Sequence, residues 1–151
     1  MSTLQGVEEE DASQLKFGSD FVDAQCLLNS EVSILLQQRQ DSPPEDGLDV
    51  DIEPSATSQS HSVFTKTLNY AKRFGKYKNK TAAKEVRNLL TKKQLEQYEI
   101  ASLANLTPQE AEEAKILIPS LTLAAEGSSE PRFSDAELMD ILNDLKNYTN
   151  L

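Results

Sequence analysis

From Ser62 onward the apolar residues of this chain recur at helical spacing, punctuated by residues suited to starting and stopping helices. Leu138, Ile141, Leu142 and Leu145 fall at i, i+3, i+4 and i+7, one face of a 3.6-residue repeat. Ahead of them, Phe133-Ser134-Asp135-Ala136-Glu137-Leu138 combines a capping box, Ser134 with Glu137, and an apolar staple between Phe133 and Leu138. Ala82, Ala83, Val86, Leu89 and Leu90 form a second stripe, and Phe64, Leu68 and Ala71 a third, capped by Ser62 and ending near Gly75. The stretch Leu95 to Leu106 is apolar on most faces after Ile100, which predicts the central, most buried helix. Thr107-Pro108-Gln109-Glu110 reads as a helix start, with a Thr cap and Pro at the first helical position. That helix must stop before Pro119, whose ring disfavours helical geometry at Ile118. With no internal repeat and no confident sheet, the expected fold class is all-α: a compact helical bundle over residues 62–151.

The N-terminal part reads differently. Leu15 and Phe17 alternate with polar neighbours and predict a short strand, which needs a pairing edge because a lone strand is unstable. Asp20 can cap a helix from Phe21 to Arg39 carrying Leu27, Leu28, Val32, Leu35 and Leu36. Residues 41–61 contain Pro43, Pro44, Gly47 and Pro54 among many Ser, Asp and Glu, so they have little to bury and predict a disordered linker. Residues 1–40 thus read as a strand and an apolar helix set apart from the bundle. Leu27–Leu36, separated by that linker, is the apolar stripe best placed to serve as a partner interface.

Charge is segregated along the chain. Residues 63–100 hold ten Lys/Arg against three Glu, a net +7, between flanks of −11 and −6. Such a block between acidic flanks predicts two surfaces, one repelling polyanions and one able to meet them. Within it, Lys72, Arg73, Lys76, Lys78 and Lys80 interleave with aromatic rings, so the cations could engage phosphates while Tyr77 stacks on an unpaired base. The same cations also suit a solvated helix end, drawn to the C-terminal dipole. An acidic protein surface is a third match for the patch.

Catalytic chemistry finds little support. Cys26 is the only cysteine and His61 the only histidine, the latter in the expected linker. Cys26 therefore reads as a buried structural thiol, and no intramolecular disulfide can form. The chain lacks the ligands for a zinc centre and the spacing of a calcium loop. Its five glycines are scattered singly, so no phosphate loop is expected. The expectation is a non-enzyme without cofactor or metal. The N-terminus has neither the apolar core nor the basic lead of a signal peptide, and no run reaches the roughly 18–20 apolar residues of a membrane helix. A cytosolic or nuclear protein follows, without a membrane partner.

Six segments occur in an order that matches a known family: VEEEDASQL (Val7–Leu15), LLNSEV (Leu27–Val32), KTLNYAKRF (Lys66–Phe74), LANL (Leu103–Leu106), AEEAKILIPSL (Ala111–Leu121) and FSDAELMDIL (Phe133–Leu142). Together they resemble the fourth, stalk-forming subunit of eukaryotic RNA polymerase II. The resemblance implies a non-catalytic nuclear subunit whose helical domain is similar to the helicase-and-RNase-D C-terminal (HRDC) fold. It also implies pairing with the β-rich seventh polymerase subunit in a stalk beside the RNA exit channel, supporting initiation and contacting nascent RNA. By that analogy Asp11–Phe17 and Leu27–Leu36 meet the partner, which makes Leu15, Phe17, Leu27, Leu28, Val32, Leu35 and Leu36 the partner-binding candidates. Lys72, Arg73, Lys76, Tyr77, Lys78 and Lys80 are the nucleic-acid-binding candidates. Two alternatives remain: a free-standing nucleic-acid-binding helical module, and a structural adaptor docking acidic protein.

Overall fold

The structure is a computed structural model that describes residues 9–42 and 54–149. It contains six α-helices: α1 (Asn29–Asp41), α2 (Pro54–Phe74), α3 (Lys80–Thr91), α4 (Gln97–Leu106), α5 (Ala111–Leu117) and α6 (Asp135–Thr149). Short 3-10 turns lie at Ala12–Gln14 and Pro119–Thr122. Among the described residues there is no strand, only two isolated bridges, so the all-α expectation holds.

The stripes read from sequence are the core. Ala82, Ala83, Val86 and Leu90 of α3 are buried with Leu138, Ile141, Leu142 and Leu145 of α6. Ile100, Leu103 and Ala104 of α4 are buried in the same core cluster, as its apolar faces demand. Asn79 caps α3 by accepting the Ala82 N–H at 2.7 Å. The capping box of α6 forms: the Ser134 N–H and hydroxyl both donate to Glu137 at 2.8 Å, and Ser134 Oγ accepts the Glu137 N–H at 3.3 Å. These two donors, the backbone one first, hold the Glu137 carboxyl below its ordinary range.

Several local expectations give way. The strand at Leu15 and Phe17 is absent because Asp11 accepts both the N–H (2.9 Å) and hydroxyl (2.6 Å) of Ser13, which curls the chain into a 3-10 turn. Leu15 closes that turn in the left-handed region, at φ 56°. Helix α1 begins at Asn29, not Phe21; isolated turns occupy the stretch before it, and Glu31 accepts the Leu28 N–H at 2.8 Å. Helix α2 begins at Pro54, not Ser62, which puts His61 inside a helix. Pro suits a first turn, and polar residues can extend a helix already nucleated by an apolar stripe. The remainder of the expected linker, residues 43–53, lies outside the described residues. Thr107 does not start α5: it terminates α4 in the left-handed region (φ 45°), and α5 starts at Ala111 after Glu110.

Nor is α1 a detached helix. Leu28, fully buried, is part of the common core. Arg87 of α3 grips the start of α1, with Nε on Glu31 Oε1 and Nη2 on Oε2, both at 2.6 Å, and Nη2 also on the Cys26 carbonyl at 2.7 Å. Asn105 accepts the Asn29 N–H at 2.9 Å, and buried Ser30 Oγ accepts the Tyr77 N–H at 2.9 Å. Gly75 makes the approach possible: a Cβ there would lie 2.8 Å from the Ala71 carbonyl oxygen and 3.3 Å from Ser30 Cα, both backbone atoms.

One carboxylate is wholly inside. Glu99 of α4 accepts from Arg132 Nη1 (3.1 Å) and Nη2 (2.9 Å), from Ser120 Oγ (2.6 Å) and from the Glu96 N–H (2.8 Å).

Three stability measurements follow from this packing. Arg132→Met should cost about 3–5 kcal/mol in denaturant unfolding, since it strands a buried charge, and Glu99→Met in the same chain should recover most of it. Ser134→Ala should cost about 0.5–2 kcal/mol at neutral pH. Because the Glu137 pKa is lowered on folding, its contribution is present above the ordinary carboxylate pKa and fades as pH falls through the folded value. The gap between Ser134→Ala and wild type should therefore narrow in acid. Arg87→Ala should speed amide exchange in α1 by about tenfold or more, the equivalent of about 1.4 kcal/mol, while α4 and α6 keep their protection.

Candidate partner and nucleic-acid interfaces

The sequence placed seven apolar residues at a partner surface, and the structure divides them. Leu15 and Phe17 are half-buried, and the Phe17 ring meets Tyr98 of α4 edge-on, with centroids 5.8 Å apart at 61°. Burial, and secondly the Glu99 carboxylate, raise the Tyr98 phenol pKa. Around this contact opens a hollow of about 600 Å³ whose wall includes Phe21, Val22 and Ala24. Phe21 and Val22 are 63% and 65% exposed, which for two adjacent large apolar side chains marks an unsatisfied surface. The sequence reading used Phe21 only as a helix start and passed over Val22; their adjacency to Phe17 was the available signal.

Leu27, just before α1, and Leu35 on it are exposed and line a groove of about 310 Å³ between α1 and α3. Val32 and Leu36 are half-buried. Leu28 has no exposed surface and is held in the chain's own core, so in this conformation it cannot touch a partner.

The basic candidates also separate. Lys72, Arg73, Lys76, Lys78 and Lys80 are all exposed, and none of them has an ion-pair partner among the described residues. They do not share one patch. Lys72 and Lys78 flank a hollow of about 300 Å³ against Ile34, Gln37 and Gln38 of α1. Lys76 lies with Thr107 and Lys146 around another of about 260 Å³, and Lys80 borders the α1–α3 groove.

Tyr77 is the correction in this set. It is 3% exposed, its phenol donates to the Ala104 carbonyl at 3.2 Å, and burial pushes its pKa well above the ordinary value. A ring so placed cannot stack on a base; it fixes the α2–α3 turn to α4. The exposed rings lie elsewhere. Tyr70 and Phe74, one turn apart on α2, pack with centroids 4.6 Å apart, and the Arg73 guanidinium sits 5.5 Å from the Phe74 centroid. Their position off the Leu68–Ala71 stripe could have identified them.

Cys26 is partly buried, and its carbonyl rather than its thiol is engaged, by Arg87. Among the described residues no group of three or more His, Cys, Asp or Glu is placed to hold a metal ion. No helix among them is long and apolar enough to cross a membrane.

Comparison with known proteins places this helical chain in a family. Residues 26–149 match the family model described as RNA polymerase Rpb4. The chain is 44% identical over 147 residues to the Dictyostelium discoideum DNA-directed RNA polymerase II subunit rpb4, covering 93% of this chain and 89% of that protein. It is 38% identical over 143 residues to DNA-directed RNA polymerase II subunit 4 of Arabidopsis thaliana, with 94% and 95% covered. A Schizosaccharomyces pombe relative, also named DNA-directed RNA polymerase II subunit rpb4, is 30% identical over 137 residues, with 91% and 90% covered. The resemblance read from six short segments thus extends over nearly the whole length: the chain belongs to the RNA polymerase Rpb4 family.

Proposed function

We propose that this chain is a non-catalytic subunit of nuclear RNA polymerase II that pairs with the seventh subunit in a stalk near the RNA exit channel and supports initiation. The observation that carries this reading is the pair of exposed apolar side chains, Phe21 and Val22, beside Phe17 and Tyr98, in a chain of this family. A hollow walled mainly by rings and aliphatic groups, with Lys16, Glu96 and Gln97 among its lining, needs a cover, and a β-rich partner can supply a sheet edge or loop to fill it. The interface runs from Leu15 and Phe17 through Phe21 and Val22 toward α1, with Val32 and Leu36 half-buried beside it. The helices from α2 onward are, on this reading, similar to the HRDC fold.

Contact with nascent RNA is the second part of the proposal. Lys72, Arg73, Lys76 and Lys78 are exposed cations outside the α1–α3 groove with no ion-pair partner among the described residues, as phosphate binding requires. The stacking surface moves from Tyr77 to Tyr70 and Phe74, which are exposed beside Arg73.

Co-expression with the seventh subunit tests the pairing. Phe21→Asp with Val22→Asp should abolish co-purification while the helical melt stays near wild type, because both side chains are exposed in the chain alone. Reversing these four cations should spare the pair and weaken oligo-uridine binding, most visibly at low salt. If the apolar variant still co-purifies, the pairing surface lies elsewhere.

A further inference from the structure

The groove between α1 and α3 combines two properties: an aliphatic floor and a rim of uncommitted lysines. Leu27, Ile34, Leu35 and Ala83 supply the floor, and Lys80 and Lys84 stand on its α3 side. Both lysines are exposed, and neither has an ion-pair partner among the described residues. The one acid lining the groove, Glu31, has both carboxylate oxygens committed to Arg87. The groove therefore presents uncompensated positive charge on a protein whose net charge is −10.

We propose that the α1–α3 groove seats an acidic amphipathic helical segment of a partner protein. The apolar face of such a helix fills the Leu27–Leu35 floor, and its carboxylates meet Lys80 and Lys84. A polynucleotide is the poorer match: no aromatic ring lines this groove for a base to stack on, and its only guanidinium, Arg87, is engaged by Glu31. Charge also sets the partner's sign, because the acidic flanks repel an acidic ligand everywhere except at this basic stretch. The inference rests on the reading of α1 as a partner-facing helix, and adds the chemistry of what covers it.

The test uses the full chain and a fluorescent synthetic helix of about 14 residues, roughly four turns, with leucines on one face and glutamates on the rest. A counterpart with lysine in place of every glutamate serves as control. Fluorescence anisotropy should show the acidic peptide binding at least about tenfold more tightly than the basic one, with affinity falling as salt rises. Leu35→Asp and Lys84→Glu, both at exposed positions, should each weaken it by about tenfold while leaving the thermal melt and oligo-uridine affinity unchanged. Equal binding of the two peptides, or indifference to both substitutions, overturns the proposal. So does loss of oligo-uridine affinity in Lys84→Glu without loss of the peptide, which assigns the groove to RNA. Co-purification with the seventh subunit is scored separately. A pair that forms while the acidic peptide fails to bind sinks the groove assignment alone; a peptide that binds the groove while no pair forms sinks the pairing reading alone.

Discussion

A single carboxylate sets the architecture. Glu99 has no exposed surface, yet taking an ion out of water costs several kcal/mol unless its oxygens are fully engaged. Four donors meet that demand, and they come from separate parts of the chain: the backbone at the start of α4, the 3-10 turn after α5, and Arg132 just before α6. Apolar packing among α3, α4 and α6 would tolerate some sliding, because hydrophobic contact is non-directional. A forked guanidinium on a buried carboxylate does not. The loop from Leu123 to Arg132 is closed on itself, with the Arg132 N–H on the Leu123 carbonyl at 2.9 Å and the Ala125 N–H on the Glu130 carbonyl at 2.8 Å. The Arg132 side chain also reaches the Gln94 carbonyl at 3.0 Å, which ties the end of the loop to the approach of α4.

The same device, less buried, attaches α1. Glu31 and Arg87 retain 18% and 23% side-chain exposure, so water reaches this pair as it does not reach Glu99. Its energetic worth is correspondingly smaller, and the attachment of α1 leans on Leu28 in the core and on the Ser30–Gly75 approach. This division explains how one helix can be integral to the domain while facing outward. Leu28 and Ser30 are committed inward, whereas Leu27 and Leu35 are left at 47% and 51% exposure.

What sequence could show and what it could not follow from the range of the forces involved. The core faces of α3, α4 and α6 were readable because 3.6-residue periodicity is a local property, and Ser134 with Glu137 because a capping box spans one turn. Glu31 and Arg87 are 56 residues apart, and Glu99 and Arg132 are 33 apart, so neither fork leaves a periodic trace. Tyr77 was read as a stacking ring because it stands among lysines. Its burial depends on a carbonyl 27 residues on and a serine 47 residues back. Leu28 failed as a surface residue for the same reason, since a stripe of leucines does not say which member turns inward. Thr107-Pro108 carries a strong start signal, but the chain had to stop α4 first, and the left-handed turn at Thr107 uses the residue that would have been the cap. Glu110 takes the cap position without a side-chain bond.

The segregation of charge gains a different meaning once the helices are in place. Read linearly, ten cations between acidic flanks suggest one patch. Folded, Arg87 is spent on α1, and Lys72, Lys78, Lys80 and Lys84 stand along the two sides of that helix. Lys76 turns away toward α6, and Arg73 stays with the exposed rings of α2. A basic stretch laid across a helix end, a turn and a new helix cannot project in one direction, because successive residues of a helix diverge by about 100°. The consequence is a set of smaller surfaces that differ in what lies beside the charge: aromatic rings on α2, and aliphatic side chains between α1 and α3. Since a lysine is a point charge without directional preference, the neighbouring floor decides what each group of cations can hold.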